Sequence, residues 1–539
     1  RQMCIRDRYE PLTAPGHSDL ISLFEEFRAS LVPETNDGVP DYTPPAMQRK
    51  REELQVFRDL LASYDIAHWK VSEQVDYHVV RAELNGVDFD HEVLRPWARD
   101  PGFYNITDGV YPRLLVHYSR MNDDWSPRVP RLPVADDAIS QLRTKLQCVP
   151  AVLDQARGNL SEIADDLATV AIRVQERELI VMRELVDELA AKQPELANDA
   201  EKALAAMHRF REWLIDNQGR ISAPTGIGKD NYNRWLKDVL LVPHDWDKLL
   251  TTICNDYHRA IAFLKLEEHK NRGLPPFKLT ATEAENLNRQ GAAAQELLAF
   301  LRDGEIITVP DRLEPLPPAH YPRTWGMSAY LRPHYRGFFE QCCDREPMTQ
   351  ITHTFFGHYY VRDRTIWYQD GNSRPIRDTI RLFDMHESRS EALSFGVEEM
   401  MLQLGLLDDR PRAKEITYIW MAFRAARAIS ALKMHANEYT MQDGIKGFVE
   451  KLPYPWADAD SDAVWWDIEE ALRAPAHSVS YVGGKNMILQ LLAECAQLQG
   501  GEFKLKRFMD DFMGGGIIPI SLTRWEMTGN EDELTTLLA

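Results

Sequence analysis

The chain has 539 residues, of which 44% are hydrophobic, 27% charged and 10% aromatic, a balance that suits a folded globular protein and excludes disordered, collagenous and low-complexity architectures. Its 63 basic and 83 acidic side chains leave a formal charge of -20, which repels a phosphate backbone and excludes general nucleic-acid binding. No apolar stretch approaches the ~18 residues of a membrane span.

Elements follow in chain order. Arg1 to Arg8 (RQMCIRDR) resemble a translated sequencing adapter at the end of a metagenomic reading frame, so residues 1–9 are read as foreign, Cys4 included. A first helix ends before the break Pro40 to Pro45, and the basic run Arg49-Lys50-Arg51 is the solvated start of the next. Apolar residues recur at three- and four-residue spacing over Asp137 to Lys192, Asp199 to Asn217, Asp245 to Asn271, Ala281 to Arg302, Arg412 to Glu438 and Asn486 to Gln499. Thr280, ahead of Ala-Thr-Glu, and Thr440, three residues before Asp443, are the start signals. Strand patterns are confined to Glu305 to Val309 and Thr365 to Tyr368. Pro310 to Pro322 is the strongest punctuation, which divides the chain into a helical half (10–309), a linker (310–322) and a second helical half (323–539). No fixed-period repeat is present. The expected fold is mainly α, with few short strands.

Six cysteines, two of them adjacent at Cys342 and Cys343, and no C-x-x-C pair exclude a disulfide scaffold and a thiol zinc site. They fit a reducing compartment and hence a cytoplasmic location. With the native start missing, a lost signal peptide would make the protein periplasmic instead.

Histidines gather late in the chain, at His334, His353, His358, His386 and His435. Zinc sites typically use two imidazoles and a carboxylate. His353-Thr-Phe-Phe-Gly-His358 is the tightest pair, but a spacing of five puts the rings about 140° apart on an α-helix. Gly357 offers a backbone break that would bring them together. The plainer alternative is two half-buried rings in a segment rich in Phe and Tyr. Glu391 and Glu398, seven apart, share one face among Leu393, Phe395, Val397 and Met401. Carboxylates on such a face need a cation, a metal or a proton, and Arg424 and Arg427 offer the simple ion pair. Arg424 and His435 also share a face. Tyr481-Val-Gly-Gly-Lys485 precedes an amphipathic helix; with no strand before it and no full phosphate-loop pattern, it is a poor phosphate cradle. Gly226-Ile-Gly228-Lys229 has the same weakness.

At these residues the sequence resembles the bacterial "domain of unknown function 885" family, whose members are mostly helical and metallopeptidase-like. The likeness is carried by VDYHVVRAELNGVDFDHEVLRPWARDPGFY (Val75 to Tyr104), PTGIGKDNYNRWLKDVLLVPHDW (Pro224 to Trp246), EALSFGVEEMMLQLGLLDD, FRAARAISALKMHANEYT, APAHSVSYVGGKNMI and LKRFMDDFMGGGIIPISLTRWEMTG. Together they span roughly residues 45 to 530. The resemblance implies a large helical protein with a central groove. The family's Glu-Gly-Trp-Ala segment, with its metal-binding glutamate, is similar to Glu391-Ala-Leu-Ser; its Arg-Ala-Ala-Arg segment stands at Arg424 to Arg427. His435 ends the same helix pattern, although the Asp expected four residues earlier is Ala431, and Ser-Tyr-x-x-Gly is kept at Ser480, Tyr481 and Gly484.

The metal motif departs from the family. Against His-Glu-x-x-Pro-Gly-His this chain offers Thr352-His-Thr-Phe-Phe-Gly-His358, which lacks the general-base glutamate in either alignment. That loss costs on the order of 10² to 10⁴ in rate. If this segment is not the equivalent one, His334 is another candidate ligand. The resemblance therefore implies a zinc-dependent hydrolase of peptidase or amidase type with an altered site, acting on a peptide or a small molecule. His353, His358 and Glu391 would hold zinc. Tyr481 and His435 would polarise or protonate the substrate, and Arg427 would order Glu398 or bind a substrate carboxylate. Two alternatives stand beside it: a non-catalytic helical binding protein, and a metal-free acid–base enzyme acting on a small acidic molecule. The firmest structural expectation is a buried polar core of Glu391, Glu398, Arg424, Arg427, His435 and Tyr481.

Overall fold

A computed structural model of the chain describes residues 15–36, 38–106, 132–310, 338–359, 374–379 and 385–538. Among these residues helix dominates, as the periodicity requires, and the one sheet is a two-stranded antiparallel ribbon, β1 (Thr35–Asn36) with β2 (Val39–Pro40). The chain divides into two units, Arg1–Ile227 and Gly228–Ala539. No helix of the described residues is long and apolar enough to cross a membrane.

The first unit is built from α1 (His17–Ser30), α2 (Pro44–Ala62), α3 (Val71–Phe89), α4 (Asp136–Asn159), α5 (Asp165–Lys192) and α6 (Ala197–Asn217). Pro44 and Pro45 occupy the first turn of α2, where a missing N–H leaves no intrahelical bond unmade. The stretch Asp137 to Lys192 is two helices rather than one. The chain leaves helix after Asn159, and the Asp165 amide bonds the Ala223 carbonyl at 3.1 Å instead of a preceding turn. Asp165 and Asp166 then complement the positive end of α5. Leu146 and Val149 of α4, Met182, Leu185 and Leu189 of α5, and Phe210 and Leu214 of α6 interlock as the core.

The second unit contains α7 (Trp246–Lys270), α8 (Glu283–Asp303), a π-helix (Thr352–Tyr359), α9 (Met385–Gln403), α10 (Ala413–His435), α11 (Met441–Val449), α12 (Asp462–Arg473), α13 (His477–Gln499) and α14 (Leu505–Gly514). Side-chain caps start several of them: Asp245 accepts from the Lys248 amide and Ser461 from Val464, while Thr440 and Asp443 form a reciprocal capping box. For α8 the cap is Thr282, not Thr280, whose hydroxyl instead donates to Asp344 at 2.7 Å. α10 is buried on nearly every face, which marks it as central; α9 packs along α13 and α10 along α7.

Two further expectations change here. Glu305 to Val309 is not a strand. Glu305 takes a left-handed conformation (φ 48°) after α8, and Thr308 gives its amide and hydroxyl to the Asp510 carboxylate at 2.8 and 2.7 Å rather than to a neighbouring strand. Tyr481 to Lys485 is not a loop before a helix, because α13 already begins at His477, after Pro475. Helices α7 and α8 lie in the second unit. The candidate strand Thr365 to Tyr368, His334, residues 1–9 and the Pro-rich stretch beyond Pro310 lie outside the described residues.

Candidate metal centre

His353 and His358 stand on the π-helix, and that resolves their spacing. In a helix closed by i→i+5 hydrogen bonds, five residues complete about one turn, so the two rings project from the same side. Their Nε2 atoms lie 3.1 Å apart. Gly357 serves a different purpose from a backbone break. A Cβ there would come 2.1 Å from Ser394 Oγ and 2.5 Å from Ser394 Cα, so its lack of a side chain lets the π-helix touch α9. Gly484 does the same from α13, where a Cβ would meet that of Ala392 at 2.3 Å. Two glycines thus bring backbones close to α9 on either side of Glu391, at Ser394 and at Ala392.

Glu391 completes the cluster. Its Oε2 lies 3.4 Å from each histidine Nε2, is buried, and accepts no hydrogen bond from the described residues. Each imidazole is oriented through its other nitrogen. His353 Nδ1 is 2.7 Å from Glu398 Oε1, a contact that requires a proton on Nδ1 and leaves Nε2 facing the cluster. His358 Nδ1 is 2.8 Å from Ser390 Oγ. Glu398 is in turn gripped by Arg424, Nη1 to Oε2 and Nη2 to Oε1, both at 2.8 Å.

The electrostatics follow from this packing. Burial opposes ionisation of Glu391, but the charge of His358 and the contacts with both rings hold its pKa well below the ordinary carboxylate range. Burial and then the Arg424 charge oppose protonation of His353, yet the Glu391 and Glu398 carboxylates outweigh them and raise its pKa. Two imidazole nitrogens 3.1 Å apart beside a carboxylate oxygen need a positive charge between them, supplied by a proton or a metal ion.

The donor set suits a metal. Tetrahedral zinc with bonds of about 2.0–2.1 Å separates neighbouring donors by about 3.3–3.4 Å. The measured edges are 3.1, 3.4 and 3.4 Å. Two histidines and one glutamate are a catalytic type of ligand set, and a carboxylate behind a ligating histidine is its usual support. Among the described residues this is the one group of three so arranged.

Five of the six residues expected in the polar core come together. Tyr481 lies parallel to the His353 ring (5° between planes, centroids 6.2 Å apart), with Arg427 4.6 Å over its face. Burial, then the Glu391 charge, raise its pKa well above 10, so it stays a neutral hydroxyl donor. Arg427 does not order Glu398; it pairs with Asp467, and Arg424 holds Glu398 instead. His435 is the exception. Eleven residues beyond Arg424, it lies about 16 Å further along α10. Its Nε2 bonds the Ala471 carbonyl at 2.7 Å, and burial lowers its pKa to about 4. Lys485 meets Asp256 and Glu399 at 2.9 and 2.8 Å while fully buried, which disposes of the phosphate-cradle reading.

Sequence reasoning missed Ser390 and the pair Glu470–His477. His477 Nε2 lies 3.4 Å from both the Tyr481 hydroxyl and Glu470 Oε2. The signal was the i,i+4 spacing of His477 and Tyr481, hidden by reading that segment as a loop.

The sequence model of a bacterial protein family of unknown function (DUF885) matches residues 27–315 and 397–527. A search of curated proteins finds no match. Among solved structures, a presumed lipoprotein of unknown function from Shewanella oneidensis is similar with a TM-score of 0.69 at 17% identity, covering 95% of this chain and all of the other. A presumed lipoprotein from Colwellia psychrerythraea reaches 0.69 at 13% identity, covering 96% of this chain and 99% of the other. At such identities the likeness concerns the fold.

Proposed function

The chain belongs to the DUF885 family, and we propose that it is a metal-dependent hydrolase of peptidase or amidase type with an altered site. The observation that carries this reading is the convergence of His353 Nε2, His358 Nε2 and the unsatisfied Glu391 Oε2. A zinc ion held by these atoms would supply Lewis acidity toward a carbonyl and toward water. The remaining residues position and hold protons. Glu398 keeps the His353 proton on Nδ1, Arg424 holds Glu398 in place, and Ser390 sets the His358 ring. Tyr481, neutral and stacked on His353, can donate a hydrogen bond to an oxyanion.

The base expected next to the first histidine is replaced by Thr354, whose hydroxyl accepts from Gln350 at 3.0 Å. This supports slow turnover, and it is also the observation that favours the second reading, a helical binding protein without catalysis. The test is hydrolysis of short peptides and amino-acid amides by zinc-loaded and chelated protein. Turnover stopped by chelation and restored by zinc supports the hydrolase. Stoichiometric metal with no turnover of any substrate favours the binding protein. The lipoprotein descriptions of the two similar structures support an envelope location over a cytoplasmic one, which fractionation of the host cell would decide.

A further inference from the structure

Arg389 stands two residues before Glu391 on α9, so its side chain leaves the helix about 200° away from the metal cluster. It is 4% exposed. Its Nη2 donates to the Phe512 carbonyl at 2.7 Å, and its guanidinium lies 3.4 Å over the Phe512 ring. Nε and Nη1 have no acceptor among the described residues. Other buried cations of this unit are paired: Arg424 with Glu398, Arg427 with Asp467, Arg377 with Glu526, and Lys485 with Asp256 and Glu399. A buried charge without a counter-ion is strongly unfavourable, so a chain that pairs the others and leaves this one open lacks a partner there.

Arg389 also lines a cleft whose wall is aliphatic, formed by Leu236, Leu240, Val242, Leu249, Val479 and Met487, with no acidic residue among its lining. We propose that this cleft binds an aliphatic carboxylate, its anionic end on the unpaired N–H groups of Arg389 and its hydrocarbon against that wall. The ligand brings the missing counter-charge, and the wall selects a hydrocarbon tail over a bare inorganic anion. The inference is independent of whether a metal binds at His353, His358 and Glu391.

The experiment is calorimetric and thermal-shift titration of the full chain with acetate, butyrate and hexanoate, with butyramide as the neutral isostere and chloride and phosphate as inorganic controls. Affinity should rise roughly four-fold per added methylene along the aliphatic series. Butyramide should bind at least ~10-fold more weakly than butyrate. Arg389→Met should abolish carboxylate binding and, without ligand, melt no lower than the wild type, because it removes an uncompensated charge. Met487→Glu is the second variant: by placing an acid in the cleft wall it should neutralise Arg389 internally and also abolish binding. The proposal is overturned if no carboxylate of the series binds, if chloride or phosphate stabilises as well as hexanoate, or if either variant binds butyrate as the wild type does. A marked fall in the melting temperature of Arg389→Met would overturn it too, by showing that the guanidinium is already satisfied.

Discussion

His353 and His358 face each other across 3.1 Å because the five-residue step from one to the other makes about one turn of π-helix. The same turn brings Gly357 against Ser394, so histidine geometry and helix contact depend on one local distortion. Single-turn π segments inside helices are frequent at functional sites, since they re-aim side chains that a regular helix would splay apart.

Gly357→Ala tests that dependence. The added methyl meets backbone as well as side chain of Ser394, so it cannot be absorbed by a rotamer change. The expected cost is about 1–3 kcal/mol of stability, accompanied by weaker metal binding. Chemical denaturation and metal titration on the same preparation check both, and an unchanged metal affinity would show that the π turn does not set the site.

The two glutamates of α9 should separate in their effects. Glu398→Gln leaves Arg424 buried without its carboxylate and frees the His353 ring, which should cost about 3–5 kcal/mol and lower metal affinity 10–100-fold. Glu391→Gln leaves the Arg424–Glu398 pair intact, so it should cost less stability than Glu398→Gln while metal binding disappears. Equal stability losses in the two variants would contradict this division of roles.

Acid sensitivity has a named contributor in His435. Its pKa is lowered to about 4 by burial, so the folded chain keeps it neutral while the unfolded chain takes up a proton below about 6.5. Its contribution is therefore present above pH 6.5 and is lost as pH falls from about 6.5 to about 4, by about 3 kcal/mol in all. His78 and His91, lowered to about 3 and about 4, act in the same direction in the first unit. His435→Gln should flatten the pH dependence of unfolding over that window relative to wild type; an unaltered slope would remove His435 from the account.

Lys485 ties α13 to α7 and α9 by pairing with Asp256 and Glu399, which Arg259 also contacts. Lys485→Met leaves two buried carboxylates on a single partly exposed arginine and should destabilise by about 3–5 kcal/mol. Adding Glu399→Gln should recover part of the loss. Additive losses in the double variant would show that the three groups do not act as one network.

Helix content, most helix cores and the face shared by Glu391 and Glu398 were legible in the sequence because a 3.6-residue period needs no partner to be seen. The histidine geometry was not. A spacing of five argues against a shared face on an α-helix, and the π turn that reverses the argument depends on contact between Gly357 and Ser394, distant in sequence. The choice of Arg424 over Arg427 for Glu398 was equally hidden, since residues three apart lie on nearly one face and Asp467, from another helix, decides between them. His435 misled for the opposite reason: sharing a face with Arg424 says nothing of the roughly 16 Å between them along the axis.

The most direct measurement is the metal content of the full chain, purified without a histidine tag, for wild type, His358→Ala and Glu391→Gln. About one equivalent of a divalent metal, zinc foremost, is expected in the wild type and none in either variant while both remain folded. A wild type that takes up no metal after chelation and reloading, or variants that retain it, would contradict the assignment of His353, His358 and Glu391.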